Sequence, residues 1–141
     1  MKNMMILTVL LLMITTGCTS SQGGGGELPV PSTWELLSFG KTGAETPVIQ
    51  SSNVMIEFEQ NGQVGGSGGC NAYGATYEIQ GDTISFKEII STLMACADGQ
   101  INQQEQQYFK ALQAANEYKI SGDNLSISYD QGQNVLNFIK Q

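Results

Sequence analysis

Three cysteines, Cys18, Cys70 and Cys96, are the most reactive side chains in a 141-residue chain that has no histidine and whose six basic residues are all lysines. A nucleophilic cysteine wants a histidine or an electropositive surround to hold its thiolate. This chain sets 13 acidic residues against those six lysines, so a free catalytic thiol is the weaker reading and pairing of two thiols the stronger. Among carboxylates, Glu57 and Glu59 share one face of a predicted strand, the one arrangement with the makings of glycoside hydrolysis, although such pairs more often simply face solvent. Glu78, Asp82 and Glu88 stand near turns without the dense Asp/Asn spacing of a calcium loop, and zinc would lack its histidine. No metal, cofactor or catalytic residue is therefore expected. Asn71 and Tyr73 follow Cys70 closely and are candidates for a recognition surface. The structural alternative has Asn71 bonding amides of its own glycine-rich turn and Tyr73 packed under a helix, and it is the favoured one. Trp34, the single tryptophan, reads as a core aromatic.

The N-terminus decides the compartment. Lys2 precedes an uncharged, mostly apolar run from Met4 to Thr16, and Thr15-Thr16-Gly17 then lead into Cys18. That is the layout of a signal peptide, and the run is too short for a membrane span of about 20 apolar residues. The segment resembles the bacterial lipobox, with Thr15 where a bulky aliphatic residue is usual. The resemblance implies cleavage of residues 1–17, a lipid on Cys18, and a flexible glycine-rich linker over 18–31. Thr19, rather than an aspartate, follows the cysteine, which implies sorting to the outer membrane, facing the periplasm. Lipidation also disposes of the odd thiol, leaving Cys70 and Cys96 in a compartment where a disulfide persists. The mature chain holds five lysines against 13 acids, the wrong sign for a phosphate backbone, so no nucleic-acid partner is expected.

Residues 32–141 are long enough for one domain. Thr33–Phe39, Val54–Glu59, Tyr73–Gln80, Thr83–Phe86, Tyr118–Ser121, Leu125–Tyr129 and Val135–Ile139 read as strands, with turns at Asn61-Gly62, Gly81-Asp82, Gly122–Asn124 and Asp130–Gly132. The last three strands form an antiparallel meander. Between Asn102 and Asn116 the period changes to that of a helix, with Ile101, Tyr108, Phe109, Leu112 and Ala115 on one stripe and Asn102 with Glu105 as a capping box. The expected fold is α+β: an antiparallel sheet or partial barrel of seven to eight strands with one helix across it.

Gly62–Tyr77 contains five glycines within eight residues, yet no Gly-Lys-Ser/Thr follows to make a phosphate loop. These glycines read as permitting a bulge or tight turn beside the cysteine. The Gly-Cys-Asn-x-Tyr-Gly stretch at 69–74 and Thr-x-Met-Ala-Cys at 92–96, with Trp34-Glu35-Leu36, Glu105-x-x-Tyr108 and the closing strands, resemble the META domain of the HslJ-like heat-shock lipoprotein family. The resemblance implies a mostly antiparallel domain of the bacterial envelope, associated with heat shock and, in some members, novobiocin resistance. It brings no established catalysis and carries the pairing over to Cys70 and Cys96. The function expected is that of a non-catalytic, monomeric envelope lipoprotein in stress tolerance, with an envelope protein or small molecule as partner; an enzyme or inhibitor with a surface site is the alternative. Cys18→Ala is expected to move the protein from the membrane to the soluble fraction, and unchanged fractionation would refute lipidation.

Overall fold

The structure, a computed structural model, describes residues 26–141. The signal segment and Cys18 lie outside them. Nine strands and one helix follow in the order β1 (Ser32–Lys41), β2 (Thr46–Pro47), β3 (Met55–Phe58), β4 (Gln63–Ser67), β5 (Ala72–Gln80), β6 (Thr83–Ser91), α1 (Gly99–Gln113), β7 (Ala115–Ser121), β8 (Asn124–Tyr129) and β9 (Asn134–Lys140). A 3-10 turn at Gln50–Ser52 precedes β3. Every neighbouring pair is antiparallel, and β9 returns to pair with β1, closing β1 and β3–β9 into an eight-stranded barrel with β2 as an appendage on β1. Closure removes the sheet edges that a partial barrel would leave.

The period-two pattern decides what fills it. Trp34 and Leu36, Ile56 and Phe58, Tyr73 and Ala75, Ile84 and Phe86, Tyr118 and Ile120, Leu125 and Ile127, and Leu136 and Phe138 all turn inward and are buried. Eight strands leave an interior that side chains can just fill. Trp34 is fully buried, and its indole N–H donates to Ser32 Oγ at 2.8 Å, so the one polar atom on the ring has a partner. Packing begins ahead of β1: Leu28 is buried, and the Gly26 amide donates to the Ile120 carbonyl oxygen.

One seam of the barrel is thin. β6 and β7 share a single register pair, Thr83 with Glu117, before the two strands separate. The helix that links them packs against β6 and across this end of the barrel, burying Gln104, Glu105, Tyr108, Ala111 and Leu112. It starts four residues earlier than the expected capping box would have it. Asp98 is the N-cap, its side chain accepting from the Gln100 amide, and the Asn102/Glu105 capping box does not form because Glu105 is drawn into the protein. The glycine stretch divides in two: Gln63–Ser67 is strand β4, and the residues after it make the tight turn. Gly66 has φ +142°, and a Cβ there would collide with the Met55 carbonyl oxygen of β3, so the strand tolerates no side chain at that position.

The helix is fastened to the barrel interior through two tyrosines. The Tyr73 hydroxyl lies 2.8 Å from that of Tyr108 and 3.3 Å from the Met55 carbonyl oxygen, and the Tyr73 ring meets both Tyr108 and Phe109 edge-on. Burial pushes both phenols well above the ordinary tyrosine range. An unfolded chain, with tyrosines near pKa 10, then gives up protons at lower pH than the native one does. Stability is accordingly unaffected by these groups below about pH 9 and falls as pH rises past 10, by up to about 1.4 kcal/mol per pH unit for each tyrosine. Tyr108→Phe, which leaves Tyr73 its Met55 acceptor, is expected to lower that alkaline slope by about one proton in denaturant unfolding at pH 9–11; an identical slope in the variant would disprove the assignment.

Candidate functional site

The conspicuous polar cluster sits at one mouth of the barrel, where the 68–71 turn, the 92–98 loop, the Gln50–Ser52 turn and α1 converge. The opposite mouth carries the β3–β4, β5–β6 and β7–β8 turns, together with the backbone bonds from Gly26 to Ile120 and from Gln141 to Thr33.

Cys70 and Cys96 are joined in a disulfide with Cα atoms 5.8 Å apart. Beside it, Glu105 is buried at 4% exposure. Its Oε2 accepts from the Cys70 amide at 3.0 Å and the Asn71 amide at 2.6 Å, and its Oε1 accepts from Asn71 Nδ2 at 2.6 Å. Asn71 passes the connection on: its Oδ1 accepts from the Met94 amide at 2.7 Å and from Thr92 Oγ1 at 2.8 Å. One residue earlier on the helix, Gln104 does the same for the other side of the mouth, accepting from the Ile49 amide and donating to Ser52 Oγ, both at 2.8 Å. Two adjacent helical side chains thereby fix the segments on either side. Gly68 makes the close approach possible, since a Cβ there would fall 2.6 Å from Phe109 Cζ and 2.8 Å from Glu105 Oε2.

Asn71 and Tyr73, the candidates for a recognition surface, are 5% and 6% exposed, and their polar atoms are all engaged inside the protein. Neither side chain is presented to a partner. Tyr73 packs under the helix as the structural alternative had it, but Asn71 bonds the helix and the 92–94 segment rather than its own turn. Glu57, Glu59, Glu78, Asp82 and Glu88 are exposed and are not gathered into a site; Glu78 pairs with Lys87 at 2.7 Å. A shallow cleft of about 360 Å³ between β1, β2 and the 3-10 turn is lined by Glu35, Leu37, Val48, Gln50 and Asn53.

What the sequence pattern did not single out is the surface this cluster supports. Leu93 is 97% exposed and Met94 60%, on the loop whose backbone Asn71 holds and whose end Cys96 ties down, and Ile90 near the end of β6 is 73% exposed. Three large apolar side chains left this exposed within five residues are the feature of this mouth that the core does not account for. Gln104 was also missed and Glu105 was given a capping role, although a signal existed: at helical spacing both fall on the stripe of Ile101, Tyr108 and Leu112, where polar residues need internal partners.

The META domain family model matches residues 28–141. The fold is similar to the NMR structure of a protein from Burkholderia xenovorans, with TM-score 0.68 and 21% identity over 79% of this chain and 82% of that one. A second NMR structure matches with TM-score 0.61 and 19% identity, covering 77% and 88% of the two chains. A crystal structure of a duf4847 family protein from Bacteroides vulgatus matches with TM-score 0.56 and 16% identity, covering 77% and 92%. No curated protein matches the chain.

Asn71→Ala strips three hydrogen bonds and leaves Glu105 Oε1 and the Met94 amide without partners. The expected loss is about 2–4 kcal/mol, or roughly 10–20 °C in melting temperature for a domain of this size. Melting within two or three degrees of wild type, on the order of 0.5 kcal/mol, would show that Asn71 is not the tie described.

Proposed function

The chain belongs to the META domain family, and from that premise we propose that it is a non-catalytic envelope lipoprotein, held at the outer membrane through Cys18, that acts in stress tolerance by binding a periplasmic partner through the apolar tip formed by Ile90, Leu93 and Met94. The exposure of Leu93 carries the reading. A leucine side chain 97% exposed forgoes on the order of 2 kcal/mol of burial. The surrounding structure holds it there: Asn71 binds the Met94 amide, Thr92 is bonded to Asn71, and Cys96 is covalently attached to Cys70. A segment with freedom to relax would fold those side chains back onto the barrel.

The position of the tip fits an anchored protein. Gly26 joins the domain at the Ile120 carbonyl, at the mouth opposite the tip. Between Cys18 and Gly26 the sequence is Thr-Ser-Ser-Gln-Gly-Gly-Gly, a length of chain that can span at most about 26–29 Å. With the anchored mouth toward the bilayer, the tip faces the aqueous space, which favours a protein partner over the lipid surface. The acidic charge points the same way, because anionic lipid would repel the domain.

Leu93→Ser combined with Met94→Ser leaves the core and Asn71 network untouched, so the purified domain is expected to melt within about 0.5 kcal/mol of wild type. In a deletion strain the double variant is expected to fail to restore resistance to heat and novobiocin, while the wild-type gene restores it. Full restoration by the double variant, at equal protein level, would sink the tip as the functional surface.

A further inference from the structure

Glu105 is unusual for a buried carboxylate in that none of its partners is a cation. Its three donors are two backbone amides and the Asn71 side-chain amide, and the one ion pair among the described residues is Lys87 with Glu78 on the surface. A carboxylate offers about four lone-pair positions, so one remains on Oε1 after these three bonds. The Sγ atoms of Cys70 and Cys96 and a carboxylate oxygen of Glu105 all lie within 4.8 Å of one another. Both cysteines are half-buried, so a small reagent has access that the glutamate alone would not allow.

We propose that reduction of the Cys70–Cys96 disulfide unmasks a site for a soft divalent cation such as zinc, with the two thiolates and Glu105 as its protein ligands and solvent in the fourth position. A dithiol supplies two electrons and two protons to the disulfide, cleaving the S–S bond and itself closing to a disulfide. The cation then displaces the two thiol protons and forms two metal–sulfur bonds. Zinc takes thiolate at about 2.3 Å and carboxylate at about 2.0–2.2 Å, so a tetrahedral ion holds its two sulfurs roughly 3.8 Å apart. Cα atoms 5.8 Å apart accommodate that separation, and cleavage of the disulfide releases Cys96, on the exposed 92–98 loop, from its covalent tie. Electrostatics select the cation. Two thiolates next to a buried carboxylate repel one another strongly, and a dipositive ion at their centre removes the repulsion and supplies the counter-charge that Glu105 lacks. The inference rests on Cys70, Cys96 and Glu105 rather than on the exposed apolar side chains, and is independent of the membrane anchor.

The test is titration of the dithiol-reduced domain, freed of reductant under anaerobic conditions, with cadmium chloride, followed by sulfur-to-cadmium charge-transfer absorption and by calorimetry. One ion per chain is expected, with blocked labelling of both thiols, and none for the oxidised protein. Cys96→Ser is expected to abolish the absorption. Glu105→Gln is expected to weaken cadmium at least tenfold; since that variant disturbs the amide donors, its fold is checked by circular dichroism, and Glu105→Asp, which keeps the charge and draws it back, is run beside it and is expected to weaken binding less than Glu105→Gln. Failure of the reduced wild-type domain to bind, retention of binding by Cys96→Ser, or undiminished binding by a folded Glu105→Gln protein would each overturn the proposal.

Discussion

A carboxylate removed from water destabilises a fold unless donors replace its hydration, and in this domain the donors offered to Glu105 come from the cysteine turn itself. The Cys70 and Asn71 amides and the Asn71 side chain converge on it from one short segment. That convergence sets the distance between α1 and the 68–71 turn, and it sets the direction of Asn71, whose other end then reaches Thr92 and Met94. Charge-assisted bonds of this kind are about twice as strong as neutral ones, and in a water-poor site the penalty for breaking one exceeds the gain from making it. The mouth of the barrel is consequently assembled around one helical side chain.

The barrel has need of such a fixture. Seven of its eight seams are ordinary antiparallel ladders, while β6 and β7 touch through one register pair and diverge. The helix that connects these two strands is bound to the barrel along one face by apolar contact through Tyr108, Ala111 and Leu112, and along the adjoining positions by Gln104 and Glu105. Apolar burial is non-directional and would allow the helix to slide. The polar pair removes that freedom, since a shift of one residue would leave the Ile49, Cys70 and Asn71 amides facing nothing. Gly66 and Gly68 are the complement of this arrangement: one lets β4 approach the Met55 carbonyl, the other lets the turn approach Glu105 and Phe109.

Much of the barrel was legible because alternation is a local property. Thr33–Phe39, Tyr73–Gln80 and the three final strands each show their inward face in the residues themselves, and the Asn-Gly and Gly-Asp turns set their ends. Closure was not legible, because the pairing of β1 with β9 joins residues about a hundred positions apart and leaves no local trace. The helix illustrates the limit from another side. Asn102 and Glu105 have the spacing of a capping box, and Asp98 has only its own capping propensity, so a local reading prefers the box. Glu105 instead meets three converging donors that exist only once the β4–β5 turn has been brought beneath the helix. Tertiary donors outbid one local amide, and the helix begins where Asp98 can cap it. The cysteine pair, by contrast, was accessible from residue counts and family likeness, and the structure joins Cys70 to Cys96.

The same loop is held twice, by Asn71 at Thr92 and Met94 and by a covalent bond at Cys96, and the two restraints act on different states. The disulfide links residues 26 positions apart and, in the chain-entropy picture, stabilises by roughly 3.5 kcal/mol through restriction of the unfolded chain. It fixes one distance and does not by itself set the dihedral angles of residues 92–95. The hydrogen bonds restrict the native state, since they select the backbone conformation in which Leu93 and Met94 point outward. Apolar side chains on a merely tethered loop would find the nearest barrel surface, and under the function proposed above they would then have to be extracted at a cost comparable to their burial. Holding the backbone first keeps the tip available, so the buried Asn71–Glu105 pair, which touches no partner, determines what the surface above it presents.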